Sequence, residues 1–146
     1  MCNRRLPRSR SCEIVLDGLI AMSVLGILLV TLWPSRGEGG TRVHLMPLSE
    51  FWEKAPYRTT IEPEIAAAVA NLLLFIPLGF LVGIRWRFFD GWAAVLALGI
   101  GFSLAIEATQ FLLGGHDSSF DDVALNSLGA VCGQALSKAF AKQDAS

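Results

Sequence analysis

Residues 65–84 read IAAAVANLLLFIPLGFLVGI, a run of twenty with no charge, one polar side chain (Asn71) and one proline (Pro77). A helix needs roughly 20 apolar residues to cross the hydrocarbon of a bilayer, and this run supplies them. Three further blocks flank it. Residues 14–33 follow a group of arginines and hold Asp17 near their start. Residues 92–113 carry Glu107 and Gln110 near their far end, and residues 123–140 enclose Asn126 among small residues. The expected fold class is therefore all-α: an integral membrane bundle of about four transmembrane helices. Composition agrees, with 53% of the 146 residues hydrophobic and only 17% charged, against about a quarter charged in soluble domains. The mean hydropathy is +0.50.

A net charge of −1 with no basic surface gives no reason to expect a nucleic-acid partner. Cys2, Cys12 and Cys132 are scattered and odd in number, which fits neither a disulfide framework nor a zinc site. Arg4, Arg5, Arg8 and Arg10 resemble the charged start of a signal peptide, yet the first block ends in Leu32-Trp33-Pro34 and no small-x-small cleavage pattern follows. A retained anchor is expected.

Orientation comes from Lys and Arg. With the N-terminus inside, Arg4, Arg5, Arg8, Arg10, Arg85, Arg87, Lys138 and Lys142 are cytoplasmic, and Arg36, Arg42, Lys54 and Arg58 share one external loop. This asymmetry favours an N-in/C-in topology. Trp33, Trp86 and Trp92 fall at block ends, where indoles settle among headgroups. The expected layout is a cytoplasmic segment 1–13, helix 14–33, an external loop 34–64, a core over 65–141 with helices at about 65–84, 92–113 and 123–140, and a cytoplasmic tail 142–146. The loop holds Phe51, Trp52 and Tyr57 and reads either as a segment hugging the membrane surface or as a solvated connection. The last block is the least apolar and reads either as a span or as an interfacial helix. Its Gly129 and Gly133, in GxxxG spacing, and apolar residues on all sides favour insertion.

The intramembrane polar residues fall at one depth. In this topology Asn71 and Glu107 each lie about six residues, roughly 9 Å, below the outer ends of their helices. Asn126 is at a similar level, with Gln110 and Asp122 slightly higher. Ser103, Glu107 and Gln110 are spaced four and three apart and share a helix face. Asp122, Asn126, Gly129 and Gly133 share another, and the two faces are expected to meet. A charge near the membrane centre costs roughly 2.5–3.5 kcal/mol, so Glu107 should turn inward. Pro77 lacks an N–H, which frees the carbonyl of Leu73 to seek a partner elsewhere. The same polar groups would also serve simply to clamp helices together.

Residues 114–122, GGHDSSFDD, cap this cluster. Only two histidines exist, His44 and His116, and Asp121-Asp122 suits a helix start. No metal or cofactor is expected. Ser118, Ser119, His116 and Asp117 are too local to be taken as a catalytic triad, which is defined by geometry.

Three segments carry a family resemblance. Asn71-Leu72-Leu73-Leu74-Phe75-Ile76-Pro77-Leu78-Gly79-Phe80 resembles the NxxLFxPLGF segment of the VanZ-like family. Ser103-Leu104-Ala105-Ile106-Glu107-Ala108-Thr109-Gln110 resembles its SxxIExxQ helix, and Asp122-Val123-Ala124-Leu125-Asn126-Ser127-Leu128-Gly129-Ala130 its DxxxNxxGA helix. Leu45-Met46-Pro47-Leu48 is similar to its NLxPF stretch, with His44 in place of the asparagine. Many members carry arginine where this chain has His116. The resemblance implies a small multi-helix membrane protein whose founding relative is linked to teicoplanin resistance; no reaction is established for the family.

Three functions compete. The first is a non-enzymatic protein of the bacterial cell membrane with a polar pocket open to the outer leaflet. Its partners would be membrane lipids, a lipid-linked cell-wall precursor or a lipoglycopeptide, and its binding residues Asn71, Pro77, Glu107, Gln110, His116, Asp122 and Asn126. The second is an intramembrane enzyme with Glu107 as acid or base and Asp122 as its partner. The third is a small proton-coupled transporter working as a dimer; the long loop after the first block and the absence of repeat signs argue against it.

Overall fold

The computed structural model describes residues 10–32, 43–44, 62–113 and 118–143. It is all-helical apart from one minimal strand pair. The four helices are α1 (Arg10–Thr31), α2 (Glu62–Arg85), α3 (Trp92–Leu113) and α4 (Phe120–Gln143). A single 3-10 turn, Arg87–Asp90, joins α2 to α3. Strands β1 (Val43–His44) and β2 (Ser118–Ser119) pair in parallel, with Val43 opposite Ser118 and His44 opposite Ser119.

α1, α2 and α3 are each long and apolar enough to cross a membrane. α4 is as long as α2, at 24 residues. Its polarity has a physical reason: the face it buries is built from Asn126, Ser127, Gly129, Ala130, Gly133, Gln134 and Ser137. It runs the length of the bundle rather than lying across one end. Asp122 near its start meets Asn71 of α2, and Gln134 near its end reaches the turn after α2. α2 and α4 extend about three residues beyond the apolar blocks that mark them. Asp121 and Asp122 in the first turn of α4 favour the positive dipole end, and Arg85 in the last turn of α2 favours the negative one.

α2 and α4 are parallel and form the closest pair, and the reason is glycine on both sides. An added Cβ at Gly129 would overlap the carbonyl oxygen of Leu72, and one at Gly133 that of Ile76. From the other side, a Cβ at Gly79 would overlap the carbonyl of Ala130, and one at Gly83 the side-chain oxygen of Gln134. Lipid tails are as apolar as leucine, so helices in a bilayer gain by close packing rather than by escaping water. α3 packs antiparallel on α4, with Gly99 against Ser127. α1 lies against α2. The core at the centre of the four is Ile20, Ile27, Phe75, Leu78, Val82, Val95, Ile106 and Ala130, with Phe75 and Phe102 rings 5.8 Å apart.

α1 is the peripheral helix, exposing Ile14, Val15, Met22, Leu25, Leu29 and Val30. A forked ion pair ties it to α2. Arg85 donates from Nε to Asp17 Oδ1 at 2.7 Å and from Nη2 to Asp17 Oδ2 at 3.1 Å, with Glu13 at 3.8 Å. A charge swap tests this joint. Asp17→Arg should separate α1 from α2, seen as lost cross-linking between cysteines placed on the two helices. Combining it with Arg85→Asp should restore the cross-link. Undiminished cross-linking in Asp17→Arg would show that apolar packing alone seats α1.

Candidate functional site

The antiparallel arrangement gathers the C-terminal ends of α1 and α3 and the N-terminal ends of α2 and α4 at one end of the bundle. Polar bonds join all four helices there. Asn71 Nδ2 of α2 donates to Asp122 Oδ1 of α4. Asn126 Nδ2 of α4 donates to Ser103 Oγ of α3 at 2.9 Å. Gln110 Nε2 of α3 donates to the carbonyl of Thr31, the last residue of α1, at 2.7 Å. The last carbonyls of a helix lack a partner within it, so this bond satisfies an otherwise orphaned acceptor.

The bonds form levels. Ser103 and Asn126 are deepest, 0% and 2% exposed. Glu107 is one turn along α3 from Ser103 toward the helix end and is buried. Asp122 is one turn along α4 from Asn126 in the same direction, and Gln110 lies beyond Glu107. One atom stands apart: Asn126 Oδ1 is enclosed and accepts no hydrogen bond. Buried polar atoms are almost always paired, and leaving one unpaired costs about 1–3 kcal/mol.

Five of the seven expected binding residues, Asn71, Glu107, Gln110, Asp122 and Asn126, thus lie at one end of the bundle. Pro77 does not join them. α2 continues unbroken through it, and Pro77 and Leu73 are both exposed, whereas α4 packs on the side of Leu72, Ile76 and Gly79. The carbonyl freed by the proline is on the outside of the bundle. His116 lies outside the described residues. The pairing of β1 with β2 brings residues 43–44 beside the strand that leads into α4. Among the described residues, no three His, Cys, Asp or Glu side chains group closely enough to hold a metal ion.

A second buried polar group, at the opposite end, is not among the expected residues. Gln134 is 0% exposed and donates from Nε2 to the carbonyls of Phe89 at 2.7 Å and Asp90 at 3.1 Å. Ser137 Oγ donates to the Gln134 carbonyl at 2.8 Å. The spacing that links Asp122 to Asn126 leads on through Ala130 to Gln134 and then Ser137, so the same arithmetic reaches them. Gly79-x-x-x-Gly83 on α2 likewise repeats the Gly129-x-x-x-Gly133 signature it packs against.

The family model described as VanZ/LLP1 matches residues 19–141, which takes in all four helices. No curated protein and no solved structure matches the chain.

Proposed function

Because this chain belongs to the VanZ/LLP1 family, we propose that it is a non-enzymatic protein of the bacterial plasma membrane whose polar cluster recognises an amphiphile's headgroup. In this reading the topology is N-in/C-in and the Asn71 end faces the outer leaflet. The amphiphile is a lipid-linked cell-wall precursor or a lipoglycopeptide such as teicoplanin, and binding it contributes to glycopeptide resistance.

The observation that supports this is Asn126. A residue kept only to clamp helices would use both ends of its amide; here one end bonds Ser103 and the other is held unpaired in the interior. An enclosed acceptor suits a hydroxyl or amide donor delivered from the bundle end. Access requires the helix ends to part. What closes them includes the Asn71–Asp122 and Gln110–Thr31 bonds, and interhelical polar bonds in membrane proteins average only about 0.6 kcal/mol. Opening is therefore within reach of a modest binding energy.

The test is protection of a susceptible bacterium against teicoplanin by the intact protein, Glu107→Gln and Asn126→Ala at equal membrane expression. Both variants should lose most of the protection. Full protection by both would remove the cluster from the function. Absence of protection by the intact protein would remove the glycopeptide, leaving co-purification of a lipid-linked precursor to decide the rest.

A further inference from the structure

We propose that the opposite end of the bundle holds the phosphate of an anionic membrane lipid in a notch formed by Arg87, Trp92, Lys138 and Lys142. Every Lys and Arg among the described residues lies at that end: Arg10, Arg85, Arg87, Lys138 and Lys142. Among those residues, carboxylate ion pairs engage Arg85 alone, through Asp17 and Glu13. Arg10 belongs to α1. Of the other three, Lys138 and Lys142 share a face of α4, and Arg87 lies in the turn against which α4 is held.

Gln134 fixes that place. Its bonds to the Phe89 and Asp90 carbonyls lock α4 against the turn between α2 and α3. Lys138 lies one turn farther along α4, and its Nζ stands 4.0 Å from the centroid of the Trp92 ring. Lys142 is a further turn along the same face. Arg87 opens the turn from the other side and is exposed. An indole face orients a lysine ammonium without neutralising it, so Lys138 keeps its charge there, and the three cations outnumber Asp90, the one carboxylate of the turn.

The surroundings fit a lipid rather than a soluble anion. Phe88 is 77% exposed at the tip of the turn, and Trp86 and Phe140 are also exposed. The Phe140 ring is held edge-on against Phe80 at 5.7 Å. Aromatic side chains around a cluster of cations at the ends of spanning helices are suited to the headgroup level, where the rings meet glycerol and acyl chains and the cations meet phosphate. The lipid is expected to carry net negative charge, because a zwitterionic headgroup would bring its own ammonium toward Lys138 and Lys142.

Native mass spectrometry of the full chain with equal amounts of phosphatidylglycerol and phosphatidylcholine tests the site. The intact protein should retain phosphatidylglycerol preferentially. Each of Arg87→Gln, Lys138→Gln and Lys142→Gln should reduce the preference on the order of fivefold, and the triple variant should abolish it. Lys138→Arg and Arg10→Gln should retain it. Arg87 and Lys142 are exposed and Lys138 is half-buried at the end of α4, outside the core, so an unchanged helical spectrum is expected of the triple variant and is checked alongside. Full preference in the triple variant, or an equal loss in Arg10→Gln, would overturn the proposal. Displacement of the lipid by equimolar inorganic phosphate would overturn its assignment to a lipid. The site is at the other end of the bundle from Asn126, so its failure and that of the headgroup-recognition reading are separately visible.

Discussion

Gly133→Leu should destroy the folded bundle, whereas Gly101→Leu on α3 should leave it intact. A Cβ at Gly133 would run into the Ile76 carbonyl oxygen and the Phe80 amide nitrogen. Both are backbone atoms of a continuous helix, so no rotamer change relieves the overlap; α2 and α4 must separate. Separation also forfeits the contacts at Gly79 and Gly129, and it breaks the closest pairing in the molecule. Overpacking typically costs roughly 1–3 kcal/mol and occasionally more. A backbone collision at the centre of this seam belongs above that range, at more than about 3 kcal/mol. Gly101 has nothing within 4 Å of an added Cβ, and losing a helical glycine there gains up to about 1 kcal/mol in propensity. Denaturant titration in micelles, with size-exclusion profiles, measures both. A wild-type midpoint for Gly133→Leu would mean that the seam is not what holds the bundle.

That seam also shows what sequence can and cannot reveal in a membrane chain. α2 and α3 are legible because a helix facing lipid must be apolar along its exposed surface. α4 is ambiguous for the complementary reason: much of its surface faces other helices, and a buried face of Asn126, Ser127, Gly129, Gly133 and Gln134 lowers its apolarity below that of its neighbours. Steps of four and three residues put Ser103 and Asn126 on stripes of their helices, and a hydrogen bond joins them. Such steps give the azimuth of residues relative to one another, not which stripe faces inward. Pro77 illustrates this. Its depth follows from counting, yet it lies on the exposed side of α2, because Gly79 and Gly83 turn a different side of the helix toward α4. The Asp17–Arg85 fork joins residues 68 apart in sequence, and no local pattern announces it. The position given to His116 lies outside the described residues, so the sequence reading stands alone there.

Two buried amides on α4 allow function to be separated from packing. Gln134 is used in full as a donor: its Nε2 serves two carbonyls of the turn between α2 and α3. Gln134→Leu leaves both carbonyls short of that donor and should cost about 1–3 kcal/mol. Asn126→Leu should behave in the opposite way. Leucine branches at Cγ as asparagine does, so it fills much the same space while removing the unpaired Oδ1. Ser103 loses its donor from Asn126 but can turn its hydroxyl to the carbonyl one turn earlier on α3, as Thr109 does with Ala105 at 2.7 Å. Stability should be unchanged or higher by about 1 kcal/mol, while headgroup recognition and any protection against the glycopeptide are lost. Unfolding midpoints and the protection assay on the same two variants give the answer. If Asn126→Leu unfolds as readily as Gln134→Leu, Asn126 is a clamp like its neighbour, and its unpaired oxygen no longer argues for a ligand.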